Sequence, residues 1–208
     1  MTAPEAELRR VWHRIAGRRA EAVLDGVLAR HREPHRRYHT ATHVMWVCRH
    51  VDRLASAHLV ADLDALLAAA LFHDAVYDPT SATNEADSAA LADARLAELG
   101  WSGDRRSDVR RWILATADHA AHTDDPATAV LCDADLAILG APANEYLAYV
   151  TGVRAEYAHV ADDAWRTGRT RVVGHFLGRS NIYATSTMRD EREHRARANL
   201  TAEVASLR

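Results

Sequence analysis

Leu63-Asp64-Ala65-Leu66-Leu67-Ala68-Ala69-Ala70-Leu71-Phe72-His73-Asp74-Ala75-Val76-Tyr77 is the stretch on which the fold turns. Its first ten residues are Ala and Leu with one charge, Asp64, and a closing Phe72. Such composition favours helix, and a helix apolar nearly all round belongs at the centre of a domain rather than on its surface. Asp62 or Asp64 is placed to cap it. Pro79, just beyond, predicts that the helix stops before it. A His-Asp pair at the end of so apolar a segment is hard to account for as solvated surface.

The neighbouring segments follow the same period. Val44, Val47, Val51 and Leu54 predict a helix over 41–58. Pro4 opens an N-terminal helical stretch in which Val23, Leu24, Val27 and Leu28 supply one apolar face, ended by Pro34. Beyond the Asp78–Ser88 loop the pattern predicts helices over 85–99, closed by Gly100, and 104–119, capped by Asp104 or Ser107. A short apolar segment, Ala129 to Gly140, comes next. Helices over 142–160, 162–179 and 189–206 complete the chain. No alternating strand pattern and no internal repeat appear. The expectation is an all-α fold, one bundle of about eight or nine helices forming a single domain over 1–208.

Composition narrows the function classes. With 208 residues and 48% hydrophobic side chains, one sizeable core is the default. The formal charge of −3 offers no basic field for nucleic acid. All 26 basic residues are Arg, which a GC-rich coding bias explains. Cys48 and Cys132 sit in apolar stretches and read as buried thiols of a reducing compartment. The N-terminus lacks a signal-peptide core, and no run of about 18 apolar residues predicts a membrane span. A cytoplasmic protein is expected, contacting neither membrane nor nucleic acid. Trp101, Trp112 and Trp165 would serve a homodimer face as well as a core.

Four places hold residues suited to a metal ion. They are Tyr38-His39-Thr40-Ala41-Thr42-His43, the His73-Asp74 pair, Asp118-His119, and Cys132-Asp133-Ala134-Asp135. His39 and His43 are i, i+4 neighbours if they share a helical turn. Asp135 is flanked by Leu131, Leu136, Ile138 and Leu139, where an unpaired carboxylate would be costly to bury. Asp133, two residues away, would face elsewhere on a helix. Each feature alone is commonplace: a hydrogen-bonded core pair, a helix cap. The order His…His-Asp…Asp is much less so.

That order resembles the HD superfamily of metal-dependent phosphohydrolases, and in particular a family of small bacterial HD proteins. The likeness runs through Tyr38-His39, His43-Val44, Phe72-His73-Asp74-Ala75-Val76-Tyr77, Asn84-Glu85, Thr116-Ala117-Asp118-His119, Asp133 to Gly140, Glu156-Tyr157 and Gly168-Arg169. The resemblance implies that His43, His73, Asp74 and Asp135 hold one or two divalent ions. Manganese, iron, nickel, cobalt, zinc or magnesium all suit imidazole and carboxylate donors. It implies His39 as the proton donor to the leaving oxygen and Glu85 as the residue that orients the attacking water. Arg37, Tyr38, Asn84 and His119 are expected to touch a small phosphorylated, nucleotide-like substrate. Arg36 shares the role of Arg37, and Glu156 with Arg169 is expected to form a structural pair beneath the site. Thr40 stands where cyclic-nucleotide phosphodiesterases have Asn, and no Gly-Tyr-Pro motif is present, so no particular substrate carries over. Two alternatives stay open. One is an HD-fold di-iron oxygenase drawing on His119 and His122; the other is a metal-containing regulatory or ligand-binding module without turnover.

Overall fold

The computed structural model describes residues 3–119 and 124–207. Among them are ten α-helices and no strand. They are α1 (Pro4–Ala16), α2 (Glu21–Arg30), α3 (Ala41–Ala55), α4 (Leu63–Phe72), α5 (Asn84–Glu98), α6 (Gly103–Ala115), α7 (Pro126–Asp135), α8 (Ala143–Glu156), α9 (Asp162–Leu177) and α10 (Ser186–Ser206), with 3₁₀ turns at Arg18–Ala20 and Leu136–Gly140. The all-helical expectation holds, with one more helix than the sequence pattern distinguishes. The extra one comes from Gly17. Its φ of 73° breaks the N-terminal stretch into α1 and α2, a conformation glycine adopts without strain. Trp12 then folds against the break, its indole N–H donating to the Ala20 carbonyl at 2.9 Å.

Helix α4 is the axis. Every residue from Ala65 to Phe72 is buried. Asp62 caps its start by accepting from the Ala65 N–H, and Arg105 fixes that carboxylate from α6. Helices α1, α3, α5, α6 and α7 pack around α4. The cap of α6 is Ser102, not Asp104 or Ser107, because the helix begins at Gly103, one residue earlier than periodicity suggests. Asp125 caps α7, and Pro126 takes the first-turn position where a missing N–H is harmless.

The C-terminal helix secures the turn that ends α7. Arg192 donates to the Ala137 carbonyl, Arg195 to that of Gly140, and the Asn199 amide to those of Leu139 and Ala141. The approach at Gly140 is so close that a Cβ there would meet the Arg192 Cβ at 2.6 Å. Asp133 faces away from Asp135, as expected, and accepts the N–H groups of Ala184 and Thr185 at 2.8 and 2.7 Å. Helix α7 is thereby locked to the start of α10. Trp112 belongs to the core, while Trp101 and Trp165 are half-buried beneath the guanidinium groups of Arg105 and Arg154. Cys48 and Cys132 are buried and unbonded to one another. Among the described residues no single helix is long and apolar enough to cross a membrane.

Candidate metal centre

Three helix termini meet at one point. His43 comes from the first turn of α3, His73 is the residue on which α4 ends, Asp74 follows it, and Asp135 closes α7. On a continuous helix, neighbours such as His73 and Asp74 diverge by about 100°. Here the helix ends at Phe72, and the turn closed by the Ala75 N–H on the Phe72 carbonyl lets both side chains face the same centre. The His43 Nε2 lies 3.2 Å from the His73 Nε2, 3.3 Å from the Asp74 Oδ2 and 3.1 Å from the Asp135 Oδ1. The His73 Nε2 is 3.2 Å from Asp74 and 3.6 Å from Asp135.

These spacings suit a cation. Ligands about 2.0–2.2 Å from a first-row divalent ion lie roughly 3.0–3.5 Å from one another. His43, His73 and Asp135 form a group whose donor atoms all lie within 4.8 Å, and Asp74 adds an oxygen beside both imidazoles. The His73 Nδ1–H donates to the Ala70 carbonyl at 2.8 Å, which leaves Nε2 as the lone-pair atom facing inward. Two imidazole nitrogens facing each other beside two partly buried carboxylates are stabilised by shared positive charge, whether a proton or a metal ion. The titration directions carry the same message. Burial pushes His73 and His43 down, but the carboxylates of Asp74 and Asp135 outweigh it and raise both. Burial pushes Asp74 and Asp135 up, yet the surrounding histidines hold both well below the carboxylate range.

A ring of partners holds these groups. The His119 Nε2 is 2.8 Å from the Asp135 Oδ2. His119 has a φ of 51°, a left-handed conformation uncommon outside glycine. Arg179 steadies that turn by donating to the carbonyls of Asp118 and His119. His39 sits just ahead of α3 rather than on one turn with His43, yet their rings remain neighbours, 5.6 Å between centroids. Its Nδ1 lies 2.7 Å from the Glu156 Oε2, which also accepts the Tyr77 hydroxyl at 3.0 Å. The other Glu156 oxygen accepts the N–H groups of Arg37, Tyr38 and His39 at 2.7, 2.8 and 3.0 Å. Burial opposes ionisation of Glu156, but His39 and these N–H groups prevail and hold it at about 2.

The remaining predicted residues divide. Tyr38, His39, His119 and Asp135 line a cavity of about 580 Å³ beside the centre. Arg36 is buried and donates to the carbonyls of His39, Asp74 and Ala75 at 3.1, 2.8 and 3.2 Å. It clamps the two ligand-bearing segments together and is spent there rather than on an anion. Arg37 is exposed, and its guanidinium turns back onto the carbonyls of Pro34 and Arg36. Asn84 does not line the cavity; its amide brackets the loop by bonding both backbone groups of Asp78. Glu85 is half-exposed in the first turn of α5, where an acidic side chain suits the helix dipole, and it too is absent from the cavity wall. Glu156 and Arg169 do not pair. Arg169 instead binds Glu203 through Nε and Nη2 and the Tyr149 hydroxyl through Nη2. His122 lies outside the described residues. Sequence reasoning missed Arg36 as a clamp, Arg179, Glu203 and the nest made by Glu156. Their partners lie tens of residues away, and a helical period carries no sign of them. Comparison with family models, curated proteins and solved structures finds no match to this chain.

Proposed function

We propose that the chain is a metal-dependent phosphohydrolase of the HD type, cleaving a phosphate ester or anhydride of a small molecule. The observation that carries this reading is the convergence of His43, His73, Asp74 and Asp135 beside an open cavity, in the sequence order the resemblance names. A divalent ion held there would supply charge neutralisation at the phosphoryl group and acidity toward water.

The chain's own residues would do the rest. Glu156 orients the His39 ring through Nδ1, leaving Nε2 to carry a proton to the departing oxygen. General-acid help of this kind is typically worth about 10²–10⁴-fold. His119, bonded to Asp135 through Nε2, has its Nδ1 as a lone-pair base for a water proton. This replaces Glu85 in that role, since Glu85 stands off the cavity. Tyr38 and Tyr77 shape the wall on which the phosphoryl group arrives.

Metal analysis followed by a phosphate-release assay tests the reading. The expected result is one or two divalent ions per chain, turnover lost on chelation and restored by metal, and loss of at least about 10³-fold in Asp74→Ala with its helical signal intact. Full activity in metal-stripped Asp74→Ala would refute it. Metal and ligand binding with no turnover of any phosphate compound would favour the regulatory module instead.

A further inference from the structure

We infer that the cavity selects a phosphate monoester whose alcohol portion is a bulky apolar or aromatic group; this rests on the hydrolase reading above and narrows it. At about 580 Å³ the cavity is of the size that encloses a small molecule. His39, His119 and Asp135 bring polar atoms to it from the metal centre, while Arg169, Arg171 and His175 line it from α9. Most of the remaining lining is aliphatic or aromatic. Leu136, Ile138 and Leu139 come from the 3₁₀ turn, and Val153 and Phe176 from α8 and α9. Tyr149 presents a ring packed edge-on to Tyr38, centroids 4.7 Å apart. Arg169 and its partner Glu203 hold that ring from behind.

Charge distribution decides between substrate classes. A second or third phosphate needs further cationic donors along its path, and sugar hydroxyls need polar partners when they leave water. Among the described residues that line the cavity, Arg169 is already committed to Glu203 and Tyr149. Arg171 and His175 lie on exposed positions of α9, and the His175 Nε2 faces the Arg179 guanidinium at 2.8 Å. The lining thus offers one phosphoryl site at the metal end, Arg171 only on the exposed face of α9, and aliphatic or aromatic surface over most of the rest. In the reaction, a water oxygen bonds to phosphorus and the bond from phosphorus to the alcohol oxygen breaks. Its electron pair stays on that oxygen, which takes up a proton, giving inorganic phosphate and the free alcohol.

The test uses the full chain loaded with metal and three probes: 1-naphthyl phosphate, glucose 6-phosphate and inorganic triphosphate. The expected kcat/KM for the naphthyl ester exceeds that for the sugar ester by at least about tenfold, with the difference in KM, and triphosphate is not cleaved. Val172 lines the cavity from a half-exposed position on α9, so a change there spares the core. Val172→Glu should cut the naphthyl-to-glucose ratio about tenfold, and Val172→Phe should keep it. Equal rates, or preference for glucose 6-phosphate or triphosphate, would overturn the inference. If no probe is cleaved, phosphate release from a broad panel of phosphate compounds decides the hydrolase reading, and calorimetric binding of the uncleaved probes decides the cavity separately. Tighter binding of the naphthyl ester, weakened in Val172→Glu, supports the inference; equal binding of all three overturns it.

Discussion

Helices α4 and α9 stand at opposite extremes of this molecule. The first buries every residue from Ala65 to Phe72 and ends in two candidate ligands. The second, of sixteen residues, buries only Arg169 and Val173, yet forms one wall of the cavity. The contrast separates two demands that the proposed function would place on the site. Groups that hold a cation must be fixed to within a fraction of an ångström, which requires packing on all sides and saturated hydrogen bonding. A wall that receives the variable part of a ligand needs only to exclude water, and a lightly anchored helix does that. Low local stability is the usual condition of such elements.

The comparison can be broken most severely at Glu156. It collects three backbone N–H groups, the Tyr77 hydroxyl and the His39 ring in one buried carboxylate. Glu156→Gln presents an N–H₂ group where only acceptors fit. Chemical denaturation should show a loss of about 2–3 kcal/mol, in line with removing charged hydrogen bonds from a buried site. Turnover of any substrate should fall with it, in kcat more than in KM. If the variant is as stable as the parent, the rigidity assigned to the metal half is wrong.

Acid provides a second route. His31 is buried, and burial with the nearby Arg36 guanidinium pushes it down to about 3. The unfolded chain, with an ordinary histidine, binds that proton near pH 6.5. Stability is therefore present above 6.5 and declines as pH falls toward 3. Glu156, held at about 2 against an ordinary 4.5, adds its own loss only below pH 4.5. Urea midpoints measured from pH 7 to pH 4 should fall in that order, by a few kcal/mol in sum. His31→Leu should flatten the slope between pH 6.5 and 4.5. An unchanged slope would mean that His31 is not the sensor.

The smallest effect is expected on α9, and it sharpens the contrast. Arg166 pairs with the exposed Asp163. Arg166→Ala should shift stability by less than about 0.5 kcal/mol. Amide exchange should run faster throughout α9 than in α4, which should exchange only through global unfolding. Comparable protection in the two helices would erase the distinction.

The residues explain what was legible in advance. The Ala- and Leu-rich run into His73-Asp74 announces a buried helix ending in polar groups that cannot be left alone. Asp135 stands in a similarly apolar setting, while His43 lies among Thr40, Thr42 and His39 and was marked out by the resemblance rather than by burial. Asp133 facing away from Asp135 follows from helical geometry alone. The break at Gly17 was less visible, because one glycine in a helical stretch usually passes without consequence. Glu85, Asn84 and Arg37 do not line the cavity, because proximity to the motif in sequence is not proximity in space. Asn84 brackets the loop, and Arg37 turns back onto its own backbone.

The sequence by itself therefore determined the helical class and the buried axis, since period and burial are local properties of the chain, and its resemblance to HD proteins named the four candidate ligands. Only the tertiary structure decided which groups support them. Glu156 reaches back across 117 residues to His39, and Arg36 bridges 38 residues to the Asp74 carbonyl. Such contacts are fixed by how helices cross, and hydrogen bonds between distant segments leave no periodic trace in either one.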